Sequence, residues 1–138
     1  MRILFVTRKF PPVIGGMENV AARLYEELSA KETVELVAVR SKSGGKHFGL
    51  PFAYVGLAWR ALRSGNRFNP DIIYIQDGVL APLGRFLRRC LKRPVIVTVH
   101  GTEVVYGNWF YRKLILPSLG KMNHAVAIST RTAEMTNE

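Results

Sequence analysis

Short apolar runs alternate along the chain with longer segments in which apolar residues recur at helical spacing. Five runs are apolar at nearly every position: residues 3–6, 34–39, 72–75, 95–99 and 125–128. Such runs, bounded by polar residues or glycine, are typical of parallel strands that are covered on both faces. The pattern therefore predicts five buried parallel strands.

The segments between these runs place their apolar residues on one helical face, as Met17, Leu24 and Leu28 do in the first of them. Ser129 is a good N-cap for a further helix near the end of the sequence. Residues 40–51 are polar and glycine-rich, so we predict a mobile loop there. Helices are predicted over residues 17–30, 55–64, 80–92 and 108–119.

Alternating strands and helices predict an α/β fold, because a strand, a crossover helix and the next parallel strand form a right-handed unit. We expect a single domain over residues 1–138, a Rossmann-like, doubly wound parallel sheet with helices on both faces. The expected strand order is 3-2-1-4-5. Ligands bind such sheets outside the carboxyl ends of the strands at the switch point, here between strands 1 and 4. Residues 8–16 and 100–103 should therefore converge.

The segment 10–18 joins the first strand to the first helix and contains the pairs Pro11-Pro12 and Gly15-Gly16. Two adjacent glycines let a ligand come close to the backbone, and free N–H groups at a helix N-terminus suit an anion. The loop therefore predicts a phosphate site. A plain turn between two core elements is the alternative, since the loop matches neither G-x-G-x-x-G nor a Walker A sequence.

Composition limits the class of protein. With 48% hydrophobic and 22% charged residues, the 138-residue chain fits one globular domain. No apolar run approaches the ~20 residues of a membrane span, and the first apolar run is too short for a signal peptide, so we predict a cytoplasmic protein. Cys90 is the single cysteine, which excludes a disulfide framework. Histidines, cysteines and carboxylates show no metal-ligand spacing, and we expect no metal and no cofactor.

A net charge of +10 predicts attraction to something anionic. Basic residues crowd two predicted helices, which favours a surface for a membrane or another anion, made of Arg60, Arg63, Arg85, Arg88, Arg89 and Lys92. An ordinary solvated helix face is the alternative, although the helix over 80–92 has no acid to offset its arginines. A nucleic-acid-binding module and a non-catalytic membrane-docking subunit also stay open. No nucleic-acid motif is visible, and we expect no nucleic acid as partner.

Several short motifs, in this order and spacing, resemble one enzyme family. They are Phe10-Pro11-Pro12 with Gly15-Gly16 and Glu18, Asn69-Pro70-Asp71-Ile72-Ile73, Thr98-Val99-His100-Gly101-Thr102-Glu103, and Ala127-Ile128-Ser129 with Thr132. Together they are similar to the retaining, GT-B-fold glycosyltransferases of family four. Members have two Rossmann-like domains that face a cleft. The resemblance makes residues 1–138 the N-terminal, acceptor-side domain, without the C-terminal domain that holds most nucleotide-sugar contacts.

The resemblance also implies roles for matching residues in the first loop. Gly15 and Gly16 correspond to the loop beside the donor diphosphate and the acceptor. Glu18 matches the acid of the motif, while an acid in the first turn of a helix also interacts favourably with the helix dipole, which is the structural alternative.

A second set of matching residues follows the fourth strand. His100 corresponds to the cleft histidine near the transferred sugar, with a satisfied core histidine as the alternative. Gly101 and Glu103 follow as substrate-binding residues. Glu103 stands where many relatives carry an aspartate or another polar residue, and a solvated loop carboxylate is its alternative.

The implied reaction is that of a hexosyltransferase, which transfers a sugar from a nucleotide-sugar donor to an acceptor hydroxyl with retention and without a bound metal. The basic surface suggests a lipid-linked or anionic acceptor and peripheral membrane contact. Because the donor pocket of such enzymes lies mainly in the C-terminal domain, we expect residues 1–138 to be inactive by themselves.

Overall fold

The computed structural model describes residues 1–12, 15–39, 50–100, 109 and 111–127. Its strands are β1 (Arg2–Thr7), β2 (Thr33–Ala38), β3 (Ile72–Ile75), β4 (Val95–Val99) and β5 (His124–Ala127). Its helices are α1 (Gly16–Ser29), α2 (Leu50–Phe68), α3 (Ala81–Leu91) and α4 (Leu116–Leu119). A 3₁₀ turn (Gly78–Leu80) precedes α3, and a π-helical turn (Tyr111–Ile115) precedes α4. Residues 40–49 of the predicted loop and the helix predicted from Ser129 lie outside the described residues.

All five strands are parallel and lie in the order β2-β1-β3-β4-β5. The predicted α/β fold, a parallel sheet with helices on both faces, is confirmed. The predicted order 3-2-1-4-5 is wrong, because β3 pairs with β1 rather than with β2. The switch point therefore lies between β1 and β3.

Two features that local periodicity does not encode place β3 beside β1. Helix α2 is 19 residues long, extends beyond both ends of the predicted segment, and packs on β1 as well as β2. It thereby carries the chain back across β1. The start of β3 is then fixed by a reciprocal pair, in which Arg2 N donates to Asp71 Oδ2 and Asp71 N donates to Arg2 O, both at 2.8 Å.

Right-handed connections place α1 on one face of the sheet and α2, α3 and α4 side by side on the other, since only the β1–β2 connection crosses the sheet in the opposite direction. The main core fills the space between the sheet and the three-helix layer. It includes Leu4, Val6, Leu57, Ala61, Ile73, Ile75, Leu83, Leu87, Val95 and Val97.

The α1 face of the sheet carries an aromatic cluster. Phe5 stacks on Tyr74 with ring centroids 5.3 Å apart, and Tyr25 of α1 meets the ring of Phe5 at 6.0 Å and that of Phe10 at 5.7 Å. Such pairs contribute about 0.5–1.5 kcal/mol each beyond burial. Burial raises the pKa of Tyr74, and the bond of its hydroxyl to Thr98 Oγ1 offsets part of the rise. The cluster holds the loop after β1 against α1.

Candidate functional site

The candidate site lies at the edge of the sheet where the strands end. Because the strands are parallel, the loop after β1, the 3₁₀ turn after β3 and His100 after β4 share this edge. In the loop after β1, Thr7 Oγ1 donates to Lys9 O at 3.0 Å, which turns the chain away from the strand. Phe10 follows in the aromatic cluster, and the chain returns to the same edge at Gly15.

The two glycines at the start of α1 differ in what a side chain at each position would contact. Gly15 is the N-cap, and a Cβ added there would overlap the carboxylate of Glu18, which is 7% exposed and lies folded back over the cap. A Cβ added to Gly16 would meet no atom of the described chain within 4 Å. Packing with Glu18 therefore explains Gly15, whereas no contact with a described residue explains Gly16.

An ion pair that sequence reasoning missed spans the switch point. Arg8 Nε, after β1, donates to Asp77 Oδ2, after β3, and the Asp77 side chain is 2% exposed against 29% for Arg8. The other oxygen, Asp77 Oδ1, accepts from Val79 N at 3.1 Å and caps the 3₁₀ turn. The buried carboxylate thus fastens the two loops that flank the switch point to each other.

His100 is 9% exposed, and its Nε2 lies 2.9 Å from Gln76 O. A carbonyl oxygen only accepts, so Nε2 carries a proton and donates it. The bond joins the ends of β3 and β4. The bond gives His100 part of a structural role, which was the alternative to a sugar contact. Its Nε2 is thereby bonded to the protein backbone.

Gln76, which supplies that carbonyl, has a polar side chain that is buried. The residue is 2% exposed, and neither Nε2 nor Oε1 of its amide has a hydrogen-bond partner in the described chain. Buried amides are nearly always bonded, and the exceptions concentrate at functional sites. The sequence did contain a signal, since Gln76-Asp77-Gly78 ends a buried strand with polar groups. The wrong strand order, however, made this the outermost strand of the sheet, away from the first strand.

The remaining predicted site residues are divided between described and undescribed parts of the chain. Gly15, Gly16, Glu18 and His100 lie at the site edge, with β3 between the strands that lead to them. Gly101 and Glu103 lie outside the described residues. Within the described ranges, no group of three histidine, cysteine, aspartate or glutamate side chains is arranged to hold a metal ion.

The predicted basic surface separates into two parts. On α2, Arg60 Nη1 donates to Ala38 O at 2.9 Å, and Arg63 stacks on Trp59 with its guanidinium carbon 5.3 Å from the ring centroid. The α3 residues instead surround a concavity of about 340 Å³ that is lined by Arg85, Arg88, Arg89, Lys92 and Lys121. Lys121, from the turn before β5, had not been predicted to join them.

The family model for Glycosyltransferase Family 4 matches residues 14–138. The chain belongs to glycosyltransferase family 4. The resemblance seen in its motifs is thus confirmed.

The fold of this family-four chain is also that of a solved structure. The crystal structure of HepE from Anabaena in complex with UDP and glucose superimposes with a TM-score of 0.65 at 14% sequence identity. The match covers 99% of the present chain and 40% of the HepE chain, so the present sequence spans less than half the length of that neighbour. No curated protein sequence matches the chain. None of the helices that the structure describes has the length and apolar character needed to cross a membrane.

Proposed function

We propose that this chain is the acceptor-side, N-terminal domain of a glycosyltransferase that moves a sugar from a nucleotide-sugar donor to an acceptor hydroxyl with retention of configuration. The observation that carries the proposal is the N-terminus of α1, a 14-residue helix that begins at the switch-point edge with the open position at Gly16. Membership of family four supports the reaction class.

The N-terminus of α1 suits the diphosphate of a donor. Its first N–H groups have no partners within the helix, and the helix dipole favours an anion there by about 0.3–1 kcal/mol. A Cβ built on Gly16 meets no described atom within 4 Å, so no described side chain covers that side of the helix start. The UDP and glucose bound to HepE are the kind of donor parts that this edge would meet. We assign Glu18 a positioning role, because its carboxylate is packed against Gly15.

Catalysis in this proposal is mainly positioning and stabilisation of the charge that develops on the leaving diphosphate. The Arg8–Asp77 pair holds the flanking loops in place before substrate binds. His100 remains the candidate for contact with the transferred sugar, through parts of the ring other than Nε2. A second, donor-binding domain would supply most contacts to the nucleotide, so residues 1–138 alone should not transfer sugar.

Titration of the ¹⁵N-labelled chain with UDP-glucose, followed by NMR, tests this assignment. We expect binding that is millimolar or weaker, because one helix terminus offers only about 1 kcal/mol and a millimolar dissociation constant corresponds to about 4 kcal/mol. Amide shifts should change first at the start of α1 and at the turn after β3. Gly16→Val should weaken binding severalfold, whereas Gly56→Val, at an equally open glycine on α2, should not. Unchanged binding by Gly16→Val, or micromolar affinity for the isolated chain, would show that the donor pocket is misplaced.

The acceptor and the location belong to the same proposal. A lipid-linked or anionic acceptor, presented at the cytoplasmic side of a membrane, is consistent with the cationic side chains on α3.

A further inference from the structure

Among the residues that the structure describes, the concavity beside α3 is lined by the side chains of five cationic residues, Arg85, Arg88, Arg89, Lys92 and Lys121. Neither α2 nor α3 contains an acid. Arg88 Nη1 donates to Lys121 O, which ties the helix to the turn before β5 and closes one side of the concavity. Cations that converge in this way repel each other, so a bound anion would stabilise the arrangement.

This concavity is separate from the candidate active site. Helix α3 runs from the carboxyl end of β3 to the amino end of β4, and Lys121 lies in the turn that leads to the amino end of β5. The concavity therefore lies towards the opposite edge of the sheet from Gly16 and His100. Basic residues in a last helical turn interact well with the helix dipole, which accounts for Arg88 and Arg89 but leaves the other three cations without that explanation.

An apolar row lies on the neighbouring helix. Phe52, Val55 and Trp59 of α2 are 82%, 67% and 60% exposed, and their spacing of three and four residues places them on one face. The opposite face of α2 is buried at Leu57 and Ala61, so the row points away from the sheet. Large apolar side chains exposed in a contiguous row mark an interaction surface.

The row and the concavity lie on the same helical layer, the row on the half of α2 that begins at the carboxyl end of β2 and the concavity beside the part of α3 that leads to β4. Helices α2 and α3 pack side by side on the same face of the sheet, so their outward sides point the same way. Phe86 of α3, 45% exposed, adds an aromatic ring to this outward side. Of the α2 cations, Arg63 lies over the Trp59 ring, whereas Arg67 is held towards β2 by Glu35 at 2.8 Å.

We propose that the outer face of the α2–α3 layer docks on an anionic phospholipid bilayer, with the apolar row entering the interface and the concavity receiving a headgroup phosphate. Aromatic and aliphatic side chains beside cations fit this partner, because the bilayer offers both apolar chains and surface phosphates. The phosphates of a nucleic acid would pair with the cations but would leave the apolar row without a partner. The inference does not depend on the proposed glycosyl transfer.

Sedimentation of the full chain with vesicles tests the proposal. Vesicles of phosphatidylcholine with phosphatidylglycerol should bind it, and vesicles of phosphatidylcholine alone should not. Each cation near such a surface changes the partition coefficient about five-fold, so Arg85→Ser with Arg89→Ser should weaken binding by about 25-fold. The matched control removes two exposed cations on the opposite face of the sheet, Arg23→Ser with Lys31→Ser, and should weaken it less than five-fold. Trp59→Ser should weaken binding, while Val20→Ser on α1 should not.

Several results would overturn the proposal. Equal binding to both kinds of vesicle would show that the cationic concavity does not contribute to docking. Equal losses of vesicle binding in the two double variants would show that net charge, rather than the concavity, accounts for the binding. Strong binding of inorganic phosphate or duplex DNA without vesicle binding would assign the site to a free anion or to nucleic acid. A chain that dimerises through the Trp59 face and ignores vesicles would assign the apolar row to a second copy. Binding that persists at about 1 M salt, where the Debye length is about 3 Å, would contradict the electrostatic part.

Discussion

Replacement of Gln76 by methionine should make the protein more stable. The side chain is 2% exposed, and neither atom of its amide has a partner in the described chain. A buried polar group without a partner costs about 1–3 kcal/mol, because folding strips its water and returns no bond. Methionine has a similar length and no strong polar group, so Gln76→Met should raise the free energy of unfolding by about 1–3 kcal/mol.

Thr98→Val is the matched control, since it also replaces a buried polar side chain at nearly constant volume. Thr98 is 3% exposed, but its Oγ1 bonds with the hydroxyl of Tyr74, so the change leaves a partly buried hydroxyl without that partner. It should lower the free energy of unfolding by about 1–3 kcal/mol. The two variants thus replace buried polar side chains, one directly after β3 and one in β4, with opposite expected signs.

Urea-induced unfolding followed by circular dichroism measures both effects, and unchanged m-values would show that the unfolded states are comparable. In a thermal scan each kcal/mol corresponds to a shift of roughly 3–5 °C for a domain of this size. If Gln76→Met lowered stability as Thr98→Val should, the amide would have a partner, for example an ordered water. The argument from the buried amide would then fail.

Three further predictions concern stability. Arg8→Ala should lower the free energy of unfolding by up to about 3 kcal/mol in urea, because it removes the cation from the buried carboxylate of Asp77, and Asp77→Asn in the same chain should restore part of the loss. Gly56→Ala, in open space on α2, should stabilise by about 0.5–1 kcal/mol in thermal unfolding, whereas Gly65→Ala on the same helix should be less favourable than Gly56→Ala by about 1–3 kcal/mol, because its Cβ would overlap the Leu91 side chain of α3. A hydrogen bond from Ser64, and after it the interaction with Arg67, lowers the pKa of Glu35. The ionised carboxylate should therefore add about 0.2–1 kcal/mol to the free energy of unfolding above pH 4.5, and this contribution should be lost as the pH falls below 4.5. Glu35→Gln should flatten that part of the pH–stability curve.

The apolar pattern was enough to find the sheet. The predicted strands 72–75 and 95–99 coincide with β3 and β4, because a short run that is apolar at nearly every position has few alternatives to a covered parallel strand. Helix α2 was predicted only over 55–64, although it spans Leu50–Phe68. Its first turn follows Gly49 and contains Pro51, which by local rules indicate a loop. Proline is tolerated in the first turn of a helix, where its missing N–H costs no helical bond.

The site could be predicted only in part for a related reason. The glycine loop and His100 were found because glycine pairs and polar groups at strand ends are visible in the sequence. Arg8 was placed at the site only as the first residue of the loop 8–16, and Gln76 and Asp77 were not assigned to it, because their proximity to Arg8 depends on which strand lies beside β1. That neighbour is decided by where α2 returns the chain and by the pairing of Asp71 with Arg2.

The bond between Arg8 and Asp77 has a consequence for protein engineering. Loops near a binding cleft are often exchanged between relatives as independent cassettes. In this chain the segment after β1 carries the cation for a buried carboxylate 69 positions away. A transplanted loop without a basic residue at position 8 would leave that carboxylate without its guanidinium, whatever ligand the loop recognises. A loop exchange here should therefore move both segments together, or replace Asp77 in the same step.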